Sequence, residues 1–491
     1  MPIRSMRLID TNEFLRREWL MRGGMQVERR SNVLDFRDDE TTEYAILSHR
    51  WIDDTEINYD EMVGLANMEK EDRDAIRGRA GYKKILDTCR QAQKDGYEWV
   101  WADTCCIDKR SSAELSEAIN SMYRWYKNAK ICYVYLHDVD GSSFPTKQDD
   151  AKYPNSNGWP EWFSRGWTLQ EMIAPSEVQF FNENWQHIGD KKTLALAWTP
   201  TEITEVPPHI LADGIDANRP CVAQIISWAA SRTTTRVEDK AYSLMGLLDV
   251  NMPMLYGEGK KAFHRLQLEI IRSTNDQSIF AWGWNSPRVR IGSILADDPS
   301  FFGDCSDMKP VNPDDFIQRS TARFPELCSM DADDGVFPVT NRGIQIRMLL
   351  CPYRESMTVF RAYLPCWEDG PLAAINLVLW NSNYYRYPNM QGADLGDCPE
   401  FRQVYLRYQD IPHHGSPSIS MTVNSPRMDS PVPMRTQNAK ETFLHSLMPM
   451  LSVSGPILQN EVAAASKWSL GNALAGAGCT WTISLSVQLL R

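Results

Sequence analysis

The sequence has no excess of positive charge, no long apolar run near its start and no pairing pattern among its cysteines. Its 64 acidic residues outnumber 52 lysines and arginines, for a net charge of −12. Phosphate backbones are bound through clustered cations that release counterions, so nucleic acid is not expected as a partner. The 11 cysteines are odd in number and irregularly spaced, and Cys105 and Cys106 are adjacent in an apolar stretch. Met1–Arg30 is arginine-rich and lacks the apolar core of a secretory leader, which predicts reduced thiols and a cytoplasmic location. No Gly-x-Gly-x-x-Gly follows the first predicted strand, and no Gly-x-Ser-x-Gly elbow is present. Gly257-Glu-Gly-Lys260 lacks the insert and the Ser or Thr of a phosphate loop, so it reads as a helix start. His413 and His414 stand without a Cys partner, and no metal is expected. No fixed repeat is present. Trp468–Leu490 carries no charge and is long enough to cross a bilayer, but it is rich in Ser, Thr and Gly. Alternation at Ile483, Leu485, Val487 and Leu489 reads as a strand, and no membrane association is expected.

What is present is an ordinary globular composition with strand and helix patterns in alternation. Tyr44–Ser48, Trp99–Ala102 and Lys130–Leu136 are short apolar runs. Between them, Tyr82, Ile85, Leu86 and Cys89 fall at helical spacing before Gly96. Leu115, Ile119, Met122 and Tyr126 form a second stripe behind Ser111 and Glu114 in capping-box register. A fourth unit pairs a helix near Trp162–Ile173 with a strand at Glu177–Phe181, across a long polar loop from His137 to Pro160. Such alternation predicts an α/β fold with a mainly parallel sheet flanked by helices. Further on, helical stripes are read at Val222, Ile225, Ile226 and Ala229, at Val237, Ala241, Leu244, Met245 and Leu248, and at Phe263, Leu266, Gln267 and Ile270. Gly343–Leu350, Thr358–Leu364 and Ala374–Trp380 read as strands, and 412–435, dense in Pro and Ser, reads as a linker or long loop. The expected division is 1–43, 44–200, a helical extension over 201–285, and a strand-rich region over 286–491.

Three blocks could carry chemistry: Tyr44-Ala-Ile-Leu-Ser-His-Arg-Trp51, Trp101-Ala-Asp-Thr-Cys-Cys-Ile-Asp-Lys109 and Ser164-Arg-Gly-Trp-Thr-Leu-Gln-Glu171. Ligands of open parallel sheets sit at the carboxyl ends of the strands. Ser48, His49, Arg50 and Trp51 would leave the first strand there, and Asp103 and Asp108 the second. Each has a plainer reading as well. Asp103 and Asp108 suit ribose hydroxyls or helix caps, and at least one of them is expected to be structural. His49 suits a ribose or phosphate contact, or a packed position. Cys105 and Cys106 are expected as buried thiols facing opposite ways.

These blocks closely resemble, in order and spacing, the three motifs of the fungal heterokaryon incompatibility (HET) domain. The stretch from Arg232 to Trp282 resembles the helical extension that often follows it. The HET domain in turn resembles the TIR domain, a flavodoxin-like parallel sheet whose enzymatic members cleave NAD at the nicotinamide–ribose bond. Leu47-Ser-His-Arg50 matches the start of a TIR domain, and Trp167-Thr-Leu-Gln-Glu171 aligns with its catalytic-glutamate pattern. Thr168 replaces the cysteine of that pattern, and Gly166 separates Arg165 from Trp167.

The resemblance implies a role in fungal non-self recognition and programmed cell death. It also implies NAD as a substrate, with no tightly bound cofactor, and Glu171 as the catalytic carboxylate. Cleavage leaves an oxocarbenium-like ribose that one carboxylate can stabilise, while nicotinamide departs without needing a proton. Trp51 or Trp167 would stack on a ring, although Trp167 equally suits the core. The plainer reading of Glu171 is a solvent-facing carboxylate on a short helix. Ser48, Arg50, Asp103 and Glu171 are expected to line one crevice. The competing function is a non-catalytic death-signalling module acting by self-association through the HET domain. On either reading, the protein trigger is not written in the sequence.

Overall fold

The computed structural model describes residues 5–25, 32–192, 203–217, 219–286, 289–325, 327, 337–354, 356–367, 370–390, 394–396 and 399–410, and the backbone of strands at 419–423, 469–472 and 481–485. Seven strands form a first sheet: β1 Ser5–Asp10, β2 Leu34–Asp38, β3 Tyr44–His49, β4 Trp99–Trp101, β5 Ile131–Tyr135, β6 Val178–Phe181 and β7 His187–Asp190. Their spatial order is β2-β1-β4-β3-β5-β6-β7. The helices around it are α1 Thr11–Arg22, α2 Tyr59–Gly64, α3 Lys70–Gly78, α4 Ala80–Asp95, α5 Ser112–Asn128 and α6 Thr168–Ile173.

The parallel pairs are β3–β4, β3–β5 and β5–β6. All six residues of β3 are buried, as expected of a central strand covered on both faces. The sheet is nevertheless mixed rather than mainly parallel. On one edge β1 pairs antiparallel with β4 and β2 with β1, and on the other β7 pairs antiparallel with β6. The link from Phe181 to His187 is too short for a crossover, so β7 can only turn back along β6. β1 and β2 precede the first motif, yet Met6, Leu8 and Ile9 are buried in the same core.

α4 buries Tyr82, Ile85, Leu86 and Cys89 and ends at Gly96, whose φ of 87° suits the left-handed stop. At the start of α5 the Ser111 hydroxyl accepts from the Glu114 N–H. The capping box is only half formed, because the Glu114 carboxylate turns to the Asp108 N–H and to Arg7.

The helix expected over Trp162–Ile173 is broken. A 3-10 turn, Glu161–Ser164, precedes α6, and between them the backbone pairs with Thr233. The Gly166 N–H donates to the Thr233 carbonyl at 2.9 Å, and the Thr233 N–H to the Ser164 carbonyl at 2.7 Å. A Cβ on Gly166 would lie 2.6 Å from Thr234 Cγ2, so any larger residue there would push the Thr234 side chain aside.

The extension consists of short helices at Pro208–Asp213, Val222–Ser227 and Asp239–Tyr242 and a longer one at Lys261–Ser273. The first and third predicted stripes are buried as expected. The second is helical only over Asp239–Tyr242, and Val237 is exposed. Beyond it the chain runs in turns, with Gly246 pressed against Tyr123 of α5.

A second seven-stranded sheet follows, and five of its strands close into a ring: Gly343–Pro352, Val359–Trp367, Leu372–Trp380, Asn383–Tyr387 and Glu400–Leu406. Ile344, Ile346, Met348 and Leu350 join the main core, while Leu349 and Cys351 pack on the opposite side with Phe316 of helix Pro313–Arg323. Arg386 is fully buried, donates to the Phe280 and Trp282 carbonyls and lies over the Trp282 ring at 4.6 Å.

The strand expected near the end is present as Trp481–Leu485, paired with Ile419–Val423 and Ser469–Asn472. Ile419–Val423 thus puts a strand inside the expected linker, whereas the rest of 412–435, with His413 and His414, lies outside the described residues. Among the described residues no helix is long and apolar enough to cross a membrane.

Candidate functional site

The carboxyl ends of β3, β4 and β5 carry two layers of polar side chains. In the inner layer Ser48, the fifth residue of β3, is fully buried. Its Oγ accepts from Trp162 Nε1 at 2.8 Å and donates to Glu171 Oε2 at 2.5 Å. Glu171 is only 6% exposed, on a helix whose described residues are all buried. Burial drives its carboxyl up to about 8, against the opposing Ser48 hydrogen bond. Near neutral pH it is therefore mostly a neutral acid. The accessible carboxylate anticipated from the sequence is not what the fold makes: α6 is wedged between the sheet and the extension, which leaves Glu171 no face to solvent.

Arg232 of the extension reaches the same layer. Its Nη1 donates to the Arg165 carbonyl at 2.8 Å and to Thr168 Oγ1 at 3.1 Å, and its Nε to the Trp228 carbonyl at 3.1 Å. Burial lowers this guanidinium to about 9, and the nearby Glu171 opposes the shift.

The outer layer begins at His49, whose side chain is fully buried. Its Nε2 lies 3.6 Å from Glu56 Oε2 and 3.9 Å from Asp103 Oδ1, too far for hydrogen bonds. Glu56 Oε1 receives Lys84 Nζ at 2.6 Å and the Ile52 N–H at 3.0 Å. Burial would raise the Glu56 carboxyl, but His49 and Lys84 outweigh it and hold it at about 2. Trp51 stands 42% exposed over this centre, its Nε1 donating to Asp103 Oδ2 at 2.8 Å while Lys109 Nζ lies 3.6 Å from its ring centroid. Across β3, Arg50 pairs with Glu161 at 2.7 Å, and His137, beyond the end of β5, stands 3.7 Å from the same carboxylate. Burial lowers the His137 imidazole.

The structure therefore joins the first block to the second through Trp51 and Asp103, and to the third through Ser48 and Glu171. It does not put Ser48, Arg50, Asp103 and Glu171 on one open wall, since Ser48 and Glu171 are buried. Asp108 takes no part. Its carboxylate holds Arg110 at 2.9 and 2.8 Å and the Arg110 N–H at 3.1 Å, a structural role. Trp167 is half-buried, and Trp162 is the tryptophan of its block that fills the core. Cys105 and Cys106 are buried free thiols, set in a turn beyond β4 rather than alternating along a strand. No cluster able to hold a metal ion occurs among the described residues.

Sequence reasoning passed over Glu56, Lys84, Trp162, His137, Glu161 and Arg232. His137 directly follows an apolar run ending at Leu136, so the strand-end rule that selected His49 would have found it. The other five carry no local signal, since their partners lie far away in sequence.

Residues 44–160 match the family described as heterokaryon incompatibility protein (HET), and residues 261–291 match a domain of unknown function, DUF8212. The vegetative incompatibility protein HET-E-1 of Podospora anserina is 44% identical over 233 residues, which is 46% of this chain and 16% of that protein. The chain thus spans only a small part of that relative's length. No solved structure matches. With the motif residues from Ser48 to Asp103 gathered at one sheet edge inside the matched segment, residues 44–160 are similar in sequence to the heterokaryon incompatibility (HET) domain.

Proposed function

We propose that this protein acts in fungal non-self recognition leading to programmed cell death, and that it does so by cleaving NAD at the nicotinamide–ribose bond. The observation that carries this reading is the hydrogen-bonded chain Trp162–Ser48–Glu171, which brings the first and third motifs together beneath the carboxyl ends of the parallel strands. The spatial order of those strands, β4-β3-β5-β6, supports a flavodoxin-like, TIR-like core. In the reaction nicotinamide leaves with the electrons of its bond to ribose, and the Glu171 carboxylate stabilises the cationic sugar. Water then adds at the same carbon and gives up a proton. A neutral, covered Glu171 does neither, so the form described is a resting one and a trigger must uncover and ionise the carboxyl. That suits a cytoplasmic effector kept silent until it meets its protein trigger.

The same burial favours a second reading, in which Glu171 is structural and death signalling proceeds by self-association alone. Wild type and Glu171→Gln, compared for NAD consumption in cells that the wild type kills, separate the two. Loss of cleavage and of cell killing in the variant supports catalysis. Killing at the wild-type level by Glu171→Gln refutes it and leaves assembly.

A further inference from the structure

Beside the Ser48–Glu171 pair lies a polar centre in which Glu56, outside the three motif blocks, joins His49 and Asp103. Three side-chain atoms converge there without a hydrogen-bond partner among the described residues: His49 Nε2, Glu56 Oε2 and Asp103 Oδ1. His49 is the most telling of them. Its ring is wholly enclosed, neither nitrogen is satisfied, and Nε2 points between the two carboxylates at 3.6 and 3.9 Å. A buried polar atom left unpaired costs about 1–3 kcal/mol, and here three share one spot.

The other oxygen of each carboxylate is already engaged, Glu56 Oε1 by Lys84 and the Ile52 N–H and Asp103 Oδ2 by Trp51. The second oxygens are therefore held in fixed positions rather than free to rotate away. The centre thus offers two anchored acceptors beside one imidazole. A group that satisfies both acceptors needs at least two donor hydrogens, and an ammonium or guanidinium supplies them but has no lone pair to accept from the imidazole. A phosphate has none to give, and facing carboxylates repel it. A vicinal diol has two hydroxyls on neighbouring carbons, each able to donate to one carboxylate and accept from the imidazole or from a lysine.

We propose that the centre formed by His49, Glu56 and Asp103 binds the vicinal diol of a nucleotide ribose. The inference rests on the nucleotide reading given above, and it names the ribose next to nicotinamide, because His49 directly follows Ser48, the partner of Glu171, at the carboxyl end of β3. Trp51 is the cover. It is the half-exposed element over the centre, joined to it by the single bond to Asp103 and flanked by the Lys109 ammonium. Tilting of this indole about its bond to Asp103 gives the ribose access and leaves Asp103 Oδ2 anchored. Glu56 and Asp103 are here binding residues and Lys84 a positioning residue, acting on the diol only through Glu56.

The test uses the full chain and carba-NAD, whose nicotinamide-side ring keeps the diol and cannot be hydrolysed, with titration calorimetry as readout. Wild type is expected to bind carba-NAD at least tenfold more tightly than its 2′-deoxy form on that ring. Glu56→Gln and Asp103→Asn should each lose at least tenfold in affinity for carba-NAD and bind both forms alike. Asp108→Asn, which disturbs only the Arg110 contact, should bind as wild type does, and Trp51→Ala should associate faster. Thermal melts identify a variant that fails by misfolding. Asp103→Asn is the safer of the two, because its amide oxygen still accepts from Trp51.

Equal affinity of wild type for the two forms, or unchanged discrimination in a folded Asp103→Asn, overturns the diol site. The two ideas fail separately. If wild type cleaves NAD and the folded variants show an unchanged KM, the diol site is wrong and the cleavage reading stands. If carba-NAD binds in a diol-dependent way but cells that the protein kills do not lose NAD, the cleavage reading is wrong and the diol site stands.

Discussion

Replacing Glu171 by glutamine should make the protein more stable, and increasingly so as pH rises. The carboxyl is held near 8 in the folded chain, against an ordinary value of 4.5. Below about pH 4.5 folded and unfolded chains both carry the proton, and the full contribution of this group is present. Between those values the unfolded chain releases its proton while the folded chain keeps it. Each pH unit therefore removes about 1.4 kcal/mol of stability. Over the whole interval this comes to roughly 5 kcal/mol as a ceiling, gone once pH passes the folded value; relaxation around the charge reduces it to a few kcal/mol. Glutamine has nearly the same shape, accepts from Ser48 through its amide oxygen and does not titrate. Near pH 5 the variant should match wild type within about 1 kcal/mol. Near pH 8.5 it should exceed wild type by about 2–4 kcal/mol, read as a higher urea midpoint at unchanged slope. A difference that stays constant between these two pH values would refute the reasoning, because it would mean that Glu171 is not a buried neutral acid. An exposed carboxylate would move stability by no more than about 0.5 kcal/mol at any pH.

The remaining expectations concern packing. Gly246→Ala would set a Cβ 2.1 Å from Tyr123 Cβ, an atom next to the backbone that cannot swing aside. It should cost about 1–3 kcal/mol and lower the melting temperature, and an unchanged melt would show that the extension does not rest on α5 as described. Trp162→Phe keeps most of the ring but leaves Ser48 Oγ without its buried donor, so a loss of about 1–3 kcal/mol in chemical unfolding is expected. Residues 1–200 alone should aggregate, since they would lose the pairing of Ser164 and Gly166 with Thr233 and the apolar cover of the extension; a soluble fragment with a cooperative melt would contradict this.

Patterns with a short period were legible in the sequence. β3, β4, β5, α4 and α5 lie within a residue or two of the expected runs, because each is an apolar stripe or core strand whose burial is decided locally. What escaped was decided by distant parts of the chain. β1 and β2 had no visible partner until β4 offered its edge, and the helix over Trp162–Ile173 broke because Thr233 pairs with its middle. At the site, strand ends gave the positions of Ser48, His49 and Asp103. Depth was not legible: nothing in Ser164–Glu171 announces that a carboxylate so close to the sheet edge is sealed beneath it. Glu56 escaped for the same reason, since its partner Lys84 sits on a helix whose surface residues look alike in the sequence.

The Arg386 contact bears on how such a chain can be cut and rejoined. The guanidinium is fully buried and its contacts are the Phe280 and Trp282 carbonyls and the Trp282 ring, all contributed by the segment that closes the extension. Removing the ring of strands after residue 285 would strip two carbonyls of their donor, and grafting that ring elsewhere would carry a bare buried cation with it. A seam just upstream of Phe280 keeps the Arg386 contact but still parts Gln224 from Ser306, Lys240 from Asp298 and Gln267 from Ala296. A recombined chimera inherits a finished interface only if it takes the extension and the ring of strands from one parent, with Arg386 facing its own Phe280–Trp282.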